Sequence, residues 1–106
     1  MEPKIVIVAY KPKPGKAEAL KVLMRTHSSI LKSQDLVTDR PSILMEAKDG
    51  TIVEVFEWKS QAAIESAHSN PEVLKMWEKF EAVCDFIPIG KVEESGNLFS
   101  EFSPMR

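Results

Sequence analysis

The segment "SILMEAKDGTIVEVFEW", residues 42–58, restricts the possible folds of this chain more than any other. Two runs rich in β-branched and aromatic residues flank the dipeptide Asp49-Gly50. Both positions of an Asp-Gly pair tolerate positive φ, so the pair predicts the turn of a β-hairpin. The rest of the chain must therefore complete a sheet around this hairpin and cover it.

The N-terminal part predicts one strand and one helix. Residues 3–11 are rich in β-branched side chains and are followed by Pro12, which is typical of a strand and its end. Residues 14–34 have apolar or aromatic side chains at helical spacing and predict an amphipathic helix. The positions on its apolar stripe are Leu20, Leu23, Met24, His27, Ile30 and Leu31.

The C-terminal part predicts a broken helix and a last strand. Ser60 is a suitable N-cap for a short helix that ends near residue 68. Asn70-Pro71 has the cap and first-turn proline of a new helix, which we expect over residues 72–86. One stripe of that helix contains Val73, Trp77, Phe80 and Cys84. Residues 87–92 predict a short strand.

The predicted order is therefore β-α-β-β-α-β. This is the order of the ferredoxin-like α+β fold, in which helices cover one face of an antiparallel sheet. A chain of 106 residues suits a single domain, for which we expect a core over residues 3–92 and a tail over 93–106. The tail, "LFSEFSPMR", contains aromatic residues, so we expect it to pack on another surface.

The first strand predicts a homodimer. Its run "IVIVA" is apolar on both faces, whereas helices can cover only one face of the sheet. Large apolar patches rarely stay exposed, and the simplest cover is the sheet of a second copy. We therefore predict a homodimer in which the two sheets face each other.

Composition excludes several classes of partner. The net charge is −2 and both signs are interleaved, so no basic surface for nucleic acid is predicted. No apolar run approaches the 18 or so residues that a membrane-spanning helix needs. A lone cysteine, Cys84, cannot form an internal disulfide, which is typical of the reducing cytoplasm.

The stretch "IVEVFEWKSQAAIESAHSNPEVLKMWEKF" resembles the antibiotic biosynthesis monooxygenase-like domains of the dimeric α+β barrel superfamily. The shared pattern is a hydrophobic strand that ends in aromatic residues, here Phe56 and Trp58. A short helix ending in Ala67-His68 follows, and then a second helix from Pro71. The resemblance extends in order and spacing over residues 3–92.

This resemblance implies a cofactor-independent monooxygenase that acts on a small electron-rich aromatic of the phenol or quinol type. The haem-degrading branch resembles a pattern with asparagine on the first strand, and "KIVIVAY" has none, so we expect no haem breakdown. The quinol-oxidising branch has a histidine after the proline, where this chain has Glu72. A non-catalytic ligand-binding module and a purely structural dimer of the same fold remain open alternatives.

His68 and His27 are the candidate catalytic residues. His68 ends the short helix, where an imidazole can bond a neighbouring carbonyl and stabilise the helix end, or can act as a general base on a phenolic substrate. His27 lies on the apolar stripe of the first helix, where it is either a core residue or a second group of the site. Neither has a His, Cys or acid at metal-ligand spacing, so no metal site is predicted.

The candidate substrate pocket is aromatic. We expect Tyr10, Trp58, Trp77 and Phe80 to line an apolar cavity between helices and sheet, in which a planar ligand stacks. The same aromatics can simply form the core. Glu57 points either into this space or to solvent, and Cys84 is expected to be an unreactive core thiol.

Overall fold

A computed structural model describes residues 2–106. Its elements follow the predicted order, with one additional strand in the tail. They are β1 (Lys4–Pro12), α1 (Ala17–Ser33), β2 (Ile43–Glu46), β3 (Ile52–Trp58), α2 (Gln61–Ala67), α3 (Pro71–Val83), β4 (Cys84–Ile87) and β5 (Ser103–Pro104). The sheet is antiparallel with strand order β4-β1-β3-β2-β5. The ferredoxin-like α+β prediction is confirmed.

The predicted hairpin joins β2 to β3. Ile43 pairs with Val55, and Glu46 pairs with Ile52. Gly50 has φ 92°, a value that glycine adopts without steric cost. The Asp49 carboxylate accepts a hydrogen bond from the backbone N–H of Thr51 at 2.9 Å, which closes the turn.

The predicted caps of α2 and α3 are both present. The Ser60 hydroxyl accepts the backbone N–H of Ala63 at 3.1 Å. The Asn70 carbonyl oxygen accepts the N–H groups of Glu72 and Val73, so the break between the helices is stabilised by side-chain hydrogen bonds. Local chemistry therefore determines where each helix begins.

The last strand differs from its prediction over residues 87–92. α3 ends at Val83, and Cys84 already has the extended φ −151° and ψ 168° of a strand. β4 therefore begins three residues before the predicted strand, and Phe86 pairs with Tyr10 of β1. Pro88 has no N–H to donate to the ladder, and 3₁₀ turns at Ile89–Lys91 and Glu93–Gly96 follow it.

The helices pack on one face of the sheet, here called the inner face. α1 buries four of its predicted stripe residues, Leu20, Met24, His27 and Leu31. α3 buries Val73, Met76 and Phe80, whereas Trp77 is only partly buried. The predicted stripe is therefore confirmed at Val73 and Phe80, Met76 takes the buried position expected of Trp77, and Cys84 is buried from β4 instead of the helix.

The other side of the sheet, here called the outer face, is partly uncovered. The 3₁₀ turns and Phe102 pack over its lower part, against Ala9 and Val53. Beyond them, Ile7, Val55 and Ile43 form a row across β1, β3 and β2. The exposed fractions are 51% for Ile7, 56% for Ile43 and 58% for Ile5 on the same face. An apolar strip therefore remains in contact with solvent in the single chain.

Only part of the tail packs on the sheet. β5 pairs with β2 through Met45 and Glu46, and Phe102 joins the outer-face cluster. Between these contacts and the 3₁₀ turns, Leu98 is 93% exposed and Phe99 is 76% exposed. The expectation of a packed tail is thus met at Phe102 and not at Leu98 or Phe99.

Residues 2–106 contain neither a helix suited to cross a bilayer nor a cluster suited to hold a metal. The longest helix, α1, has 17 residues and is amphipathic, and no described helix is both long and apolar enough to span a membrane. Groups of three or more His, Cys, Asp or Glu side chains able to hold a metal ion do not occur in this part of the chain.

Candidate functional site

A cavity of about 300 Å³ lies between the inner face of the sheet and the helices. Its volume is at the small end of the range of ligand sites in proteins, roughly 300–1,000 Å³. Seven of its eight lining residues are apolar or aromatic, and the eighth is histidine. The lining residues are Val6, Val8, Tyr10, His27, Phe56, Trp58, Trp77 and Phe86.

Strand alternation brings most of these side chains to one surface. Every second residue of β1, from Val6 to Tyr10, points to the inner face, and Phe56 and Trp58 do the same on β3. Phe86 of β4 stands beside Tyr10, with ring centroids 5.5 Å apart. The sheet therefore provides a mostly aromatic floor.

His27 is the polar group that α1 contributes to the cavity. Its Nδ1 atom lies 2.9 Å from Oε1 and 3.2 Å from Oε2 of Glu54 on β3. The Tyr10 hydroxyl donates to the same Oε1 at 2.7 Å. Exposed fractions are 1% for Glu54, 2% for Tyr10 and 3% for His27, so the cluster is excluded from bulk water.

The contacts of Glu54 are those of a carboxylate. Its Oε1 atom accepts from the Tyr10 hydroxyl and faces His27 Nδ1, and an ionised carboxylate is an acceptor with no proton to donate. Burial, followed by the charge and hydrogen bond of Glu54, raises the pKa of Tyr10 well above its usual value. Tyr10 therefore stays a neutral hydrogen-bond donor.

The remaining nitrogen of His27 is available to a ligand. Nδ1 makes both contacts to Glu54, and Nε2 has no hydrogen-bond partner among residues 2–106. A carboxylate at Nδ1 stabilises the tautomer that carries its proton there, so Nε2 is the unprotonated acceptor of the neutral ring. Phe56 and Phe80 hold the imidazole edge-on at centroid distances of 5.6 and 5.4 Å. The site therefore has one oriented proton acceptor in apolar surroundings.

His68 lies outside the cavity. It is exposed at the end of α2, and its Nδ1 lies 2.9 Å from the carbonyl oxygen of Ile64. Of the two roles considered for His68, this contact is the one expected for a residue that stabilises the helix end. Its ring packs against Trp77 at 5.3 Å, so His68 supports a wall residue from outside. The two histidines therefore do not share a site.

The structure brings four of the six predicted site residues together. Tyr10, His27, Trp58 and Trp77 line the cavity. Phe80 is fully buried behind it, with its ring against Tyr10 at 5.4 Å, and so supports the floor without lining it.

Glu57 has its carboxylate on the outer side of the sheet. The Thr38 hydroxyl donates to it at 2.8 Å and Arg40 Nε donates at 3.1 Å. These two hydrogen bonds, that of Thr38 first, lower the pKa of Glu57. Of the two alternatives for this residue, the inward one with a raised pKa was wrong.

Glu54 is the functional residue that sequence reasoning missed. In "IVEVFEW" every second residue points to the same face, and Glu54 belongs to the series that contains Ile52, Phe56 and Trp58. The strand pattern therefore indicated its position on the inner face. A carboxylate at an inward position requires a buried partner. His27, on an apolar helix stripe, was the complementary signal.

A larger groove of about 550 Å³ lies between the tail and the β2–β3 turn. It is bordered by side chains of both charges, including Glu94, Glu101 and Arg106. The smaller cavity is the better candidate because it combines apolar walls with a buried, oriented polar group.

No family model and no curated protein matches the chain. Solved structures do match it. The structure of Rv0793 from Mycobacterium tuberculosis has a TM-score of 0.65 and 21% identity, covering 81% of this chain and 89% of that one. The structure of SnoaB from Streptomyces nogalater, a cofactor-independent oxygenase, has a TM-score of 0.70 and 12% identity, covering 82% and 88%. These likenesses confirm the α+β ferredoxin-like fold that the sequence predicted.

Proposed function

We propose that this chain is a cofactor-independent monooxygenase of small electron-rich aromatics of the phenol or quinol type, with His27 as the general base. The observation that carries the proposal is the position of His27, which lines an apolar cavity while Glu54 holds its Nδ1. The similar fold of SnoaB, described as a cofactor-independent oxygenase, supports the reaction class.

The first step is proton transfer within the cavity. A phenol that lies on the aromatic floor donates its hydroxyl proton to Nε2 of His27. The imidazolium that forms is stabilised by the Glu54 carboxylate, which is already aligned at Nδ1. A base that is oriented in this way contributes about 10²–10⁴-fold to a rate.

The second step transfers oxygen and needs only the bound anion and O₂. The phenolate gives one electron to O₂, and the resulting radical and superoxide combine to form a carbon–oxygen bond and a peroxide. The ring C–H and the O–O bond then break, so one oxygen atom stays as a quinone carbonyl. The second oxygen atom leaves as water. Its two hydrogens are the hydroxyl proton and the ring proton of the substrate, which His27 transfers.

The cavity suits this chemistry because it is apolar. Trp58 and Trp77 present aromatic faces on which a planar ring can stack. Apolar walls favour transfer of charge from an anion to O₂ and limit contact of the peroxide with solvent.

A non-catalytic ligand-binding module is the second candidate. The Tyr10 hydroxyl already donates to Glu54, and the indoles of Trp58 and Trp77 are donors only, which leaves His27 Nε2 as the main acceptor for a ligand. A site with one such contact can bind an apolar ligand without transforming it. The remaining alternative, a cavity filled by the protein's own side chains, is disfavoured by the volume of about 300 Å³.

We further propose that the protein is a homodimer through its outer face. The row formed by Ile7, Val55 and Ile43 is the apolar strip that a second copy would cover. The exposed Leu98 and Phe99 add apolar surface in the tail. A two-fold arrangement would bury both strips at once.

The experiment measures O₂ uptake with a panel of quinols and polyphenols. The wild type should consume O₂ and release a quinone with no added metal, flavin or haem. His27→Gln should lower kcat by about 10²–10⁴-fold because glutamine cannot take the proton. His68→Gln is the matched control and should retain the wild-type rate, since His68 lies outside the cavity.

Two results would contradict the proposal. Absence of O₂ uptake with the whole panel would remove the oxygenase and leave the binding module. Uptake that survives His27→Gln but is lost in His68→Gln would move the base to the other histidine.

A further inference from the structure

The negative charge of Glu54 is the least expected feature of the cavity. Its side chain is buried directly behind His27 and Tyr10, and the cavity lining contains no lysine or arginine. A carboxylate in such surroundings strongly affects which other charges can enter, because the interior screens charge far less than water does.

We propose that Glu54 makes the cavity bind neutral aromatic ligands such as phenols in preference to aromatic ligands that are anions in solution. The inference rests on the same cavity as the proposed function and adds the charge state of its ligand. Glu54 is then a positioning residue that acts through His27 and determines the specificity of the cavity.

The reason lies in the total charge of the buried polar cluster and a bound ligand. When a neutral phenol binds and passes its proton to Nε2, a phenolate and an imidazolium form together, so the charge inside the cavity does not change. When a carboxylate binds, a second negative charge joins that of Glu54. The site can accept it only by taking a proton from solvent onto His27.

The groups that face Glu54 leave His27 as the acceptor of that proton. Tyr10 approaches from β1 and is already a neutral donor. Val8 and Leu44 stand opposite Glu54 on the neighbouring strands, and Phe80 of α3 packs against the His27 ring. The thiol of Cys84 on β4 is close to Tyr10, but it is also neutral in its ordinary form.

The experiment compares 2-naphthol with 2-naphthoate, two ligands of similar shape that are neutral and anionic at neutral pH. Binding is measured anaerobically by titration calorimetry, so that no oxygenation occurs. The naphthol should bind at least about tenfold more tightly, as expected for a nearby charge in a weakly screening interior. Repeating the titration in buffers of different ionisation enthalpy should show about one proton taken up with naphthoate and none with naphthol.

Variants identify the responsible charge. Glu54→Gln should reduce the preference for naphthol by at least about tenfold, because it removes the buried charge and keeps a similar shape. Glu57→Gln removes the same charge from the outer side of the same strand and should leave the preference unchanged. If Glu54→Gln does not fold, the proton uptake of the wild type still tests the proposal.

Three outcomes would overturn the inference: equal affinity for the two ligands, naphthoate binding without proton uptake, or no binding of either. A protein that shows the expected selectivity but consumes no O₂ would support this inference and contradict the oxygenase. The two proposals can therefore fail separately.

Discussion

The Nδ1 atom of His27 lies 2.9 Å from Oε1 of Glu54, although one residue belongs to α1 and the other to β3. Both side chains are almost fully buried. The pair therefore connects a helix to the centre of the sheet through polar atoms, inside an otherwise apolar core. Removing one member leaves the other without its partner in a medium that solvates charge poorly.

His27→Leu should destabilise the protein strongly. Breaking a buried pair from one side typically costs about 3–5 kcal/mol. The double variant His27→Leu/Glu54→Leu should be more stable than His27→Leu alone, because it also removes the unpaired carboxylate. Urea unfolding at a fixed protein concentration measures both effects, and a double variant less stable than His27→Leu would contradict the expected pairing.

Tyr10 is the single tyrosine of the chain, so tyrosinate absorbance reports its ionisation alone. Burial and Glu54 raise its pKa well above 10.0. The folded state therefore resists loss of this proton, and stability should fall as pH rises above the ordinary value, where the unfolded chain ionises first. A spectrophotometric titration should show no tyrosinate near pH 10 in the folded protein and a normal titration in denaturant. Normal titration of the folded protein would contradict the burial of Tyr10.

Cys84 should react slowly with thiol reagents. Burial, and next the charge of Asp85, raise its pKa from 9.0 to about 11, and the thiolate is the reactive form. Because the folded pKa is the higher one, this thiol contributes stability that is lost as pH rises from about 9 to about 11. Reaction with a chromogenic disulfide should be slow in buffer and fast in denaturant. Equal rates in both would show that the thiol is accessible.

Ile7→Glu should dissociate the proposed dimer. It places a charge at the β1 end of the apolar row on the outer face. Sedimentation velocity should give twice the 11.9 kDa chain mass for the wild type and the chain mass for the variant. Val22→Glu, at an exposed site on α1, is the matched control and should remain dimeric. A wild type that sediments as a stable monomer at micromolar concentration would contradict the dimer.

His68→Ala should have a small effect on stability and none on the preference of the cavity for its ligands. It removes the hydrogen bond to Ile64 and the contact with Trp77 at the end of α2, worth about 0.5–1 kcal/mol together. Ser60→Ala, which removes the N-cap at the other end of α2, is the reference for the size of this loss, since loss of an N-cap costs about 0.5–2 kcal/mol. Thermal unfolding compares the two, and a larger loss for His68→Ala would indicate a further role.

Features that depend on local chemistry could be predicted from the sequence. The turn at Asp49-Gly50 and the caps at Ser60 and Asn70 follow from side chains within a few residues of the backbone groups that they bond. The order of elements followed from these signals and from hydrophobic periodicity.

Features that depend on distant partners could not be predicted in the same way. The start of β4 is determined by pairing of Phe86 with Tyr10 from the other end of the chain. The orientation of the His68 side chain depends on how α2, a helix of seven residues, packs against the sheet. Glu54 and His27 were each visible as exceptions in apolar patterns, but their contact spans 27 positions.

The direct passage of α3 into β4 has a consequence for how a ligand enters and leaves. Trp77 on the helix and Phe86 on the strand form adjoining cavity walls, and no loop separates their elements. A hinge at this junction would have to break the Cys84 hydrogen bond to the Phe80 carbonyl and the β4 ladder together. Ligand exchange that moves this junction therefore requires sub-global opening of the sheet edge, and a shared temperature dependence of amide exchange at β4 and ligand release would identify that route.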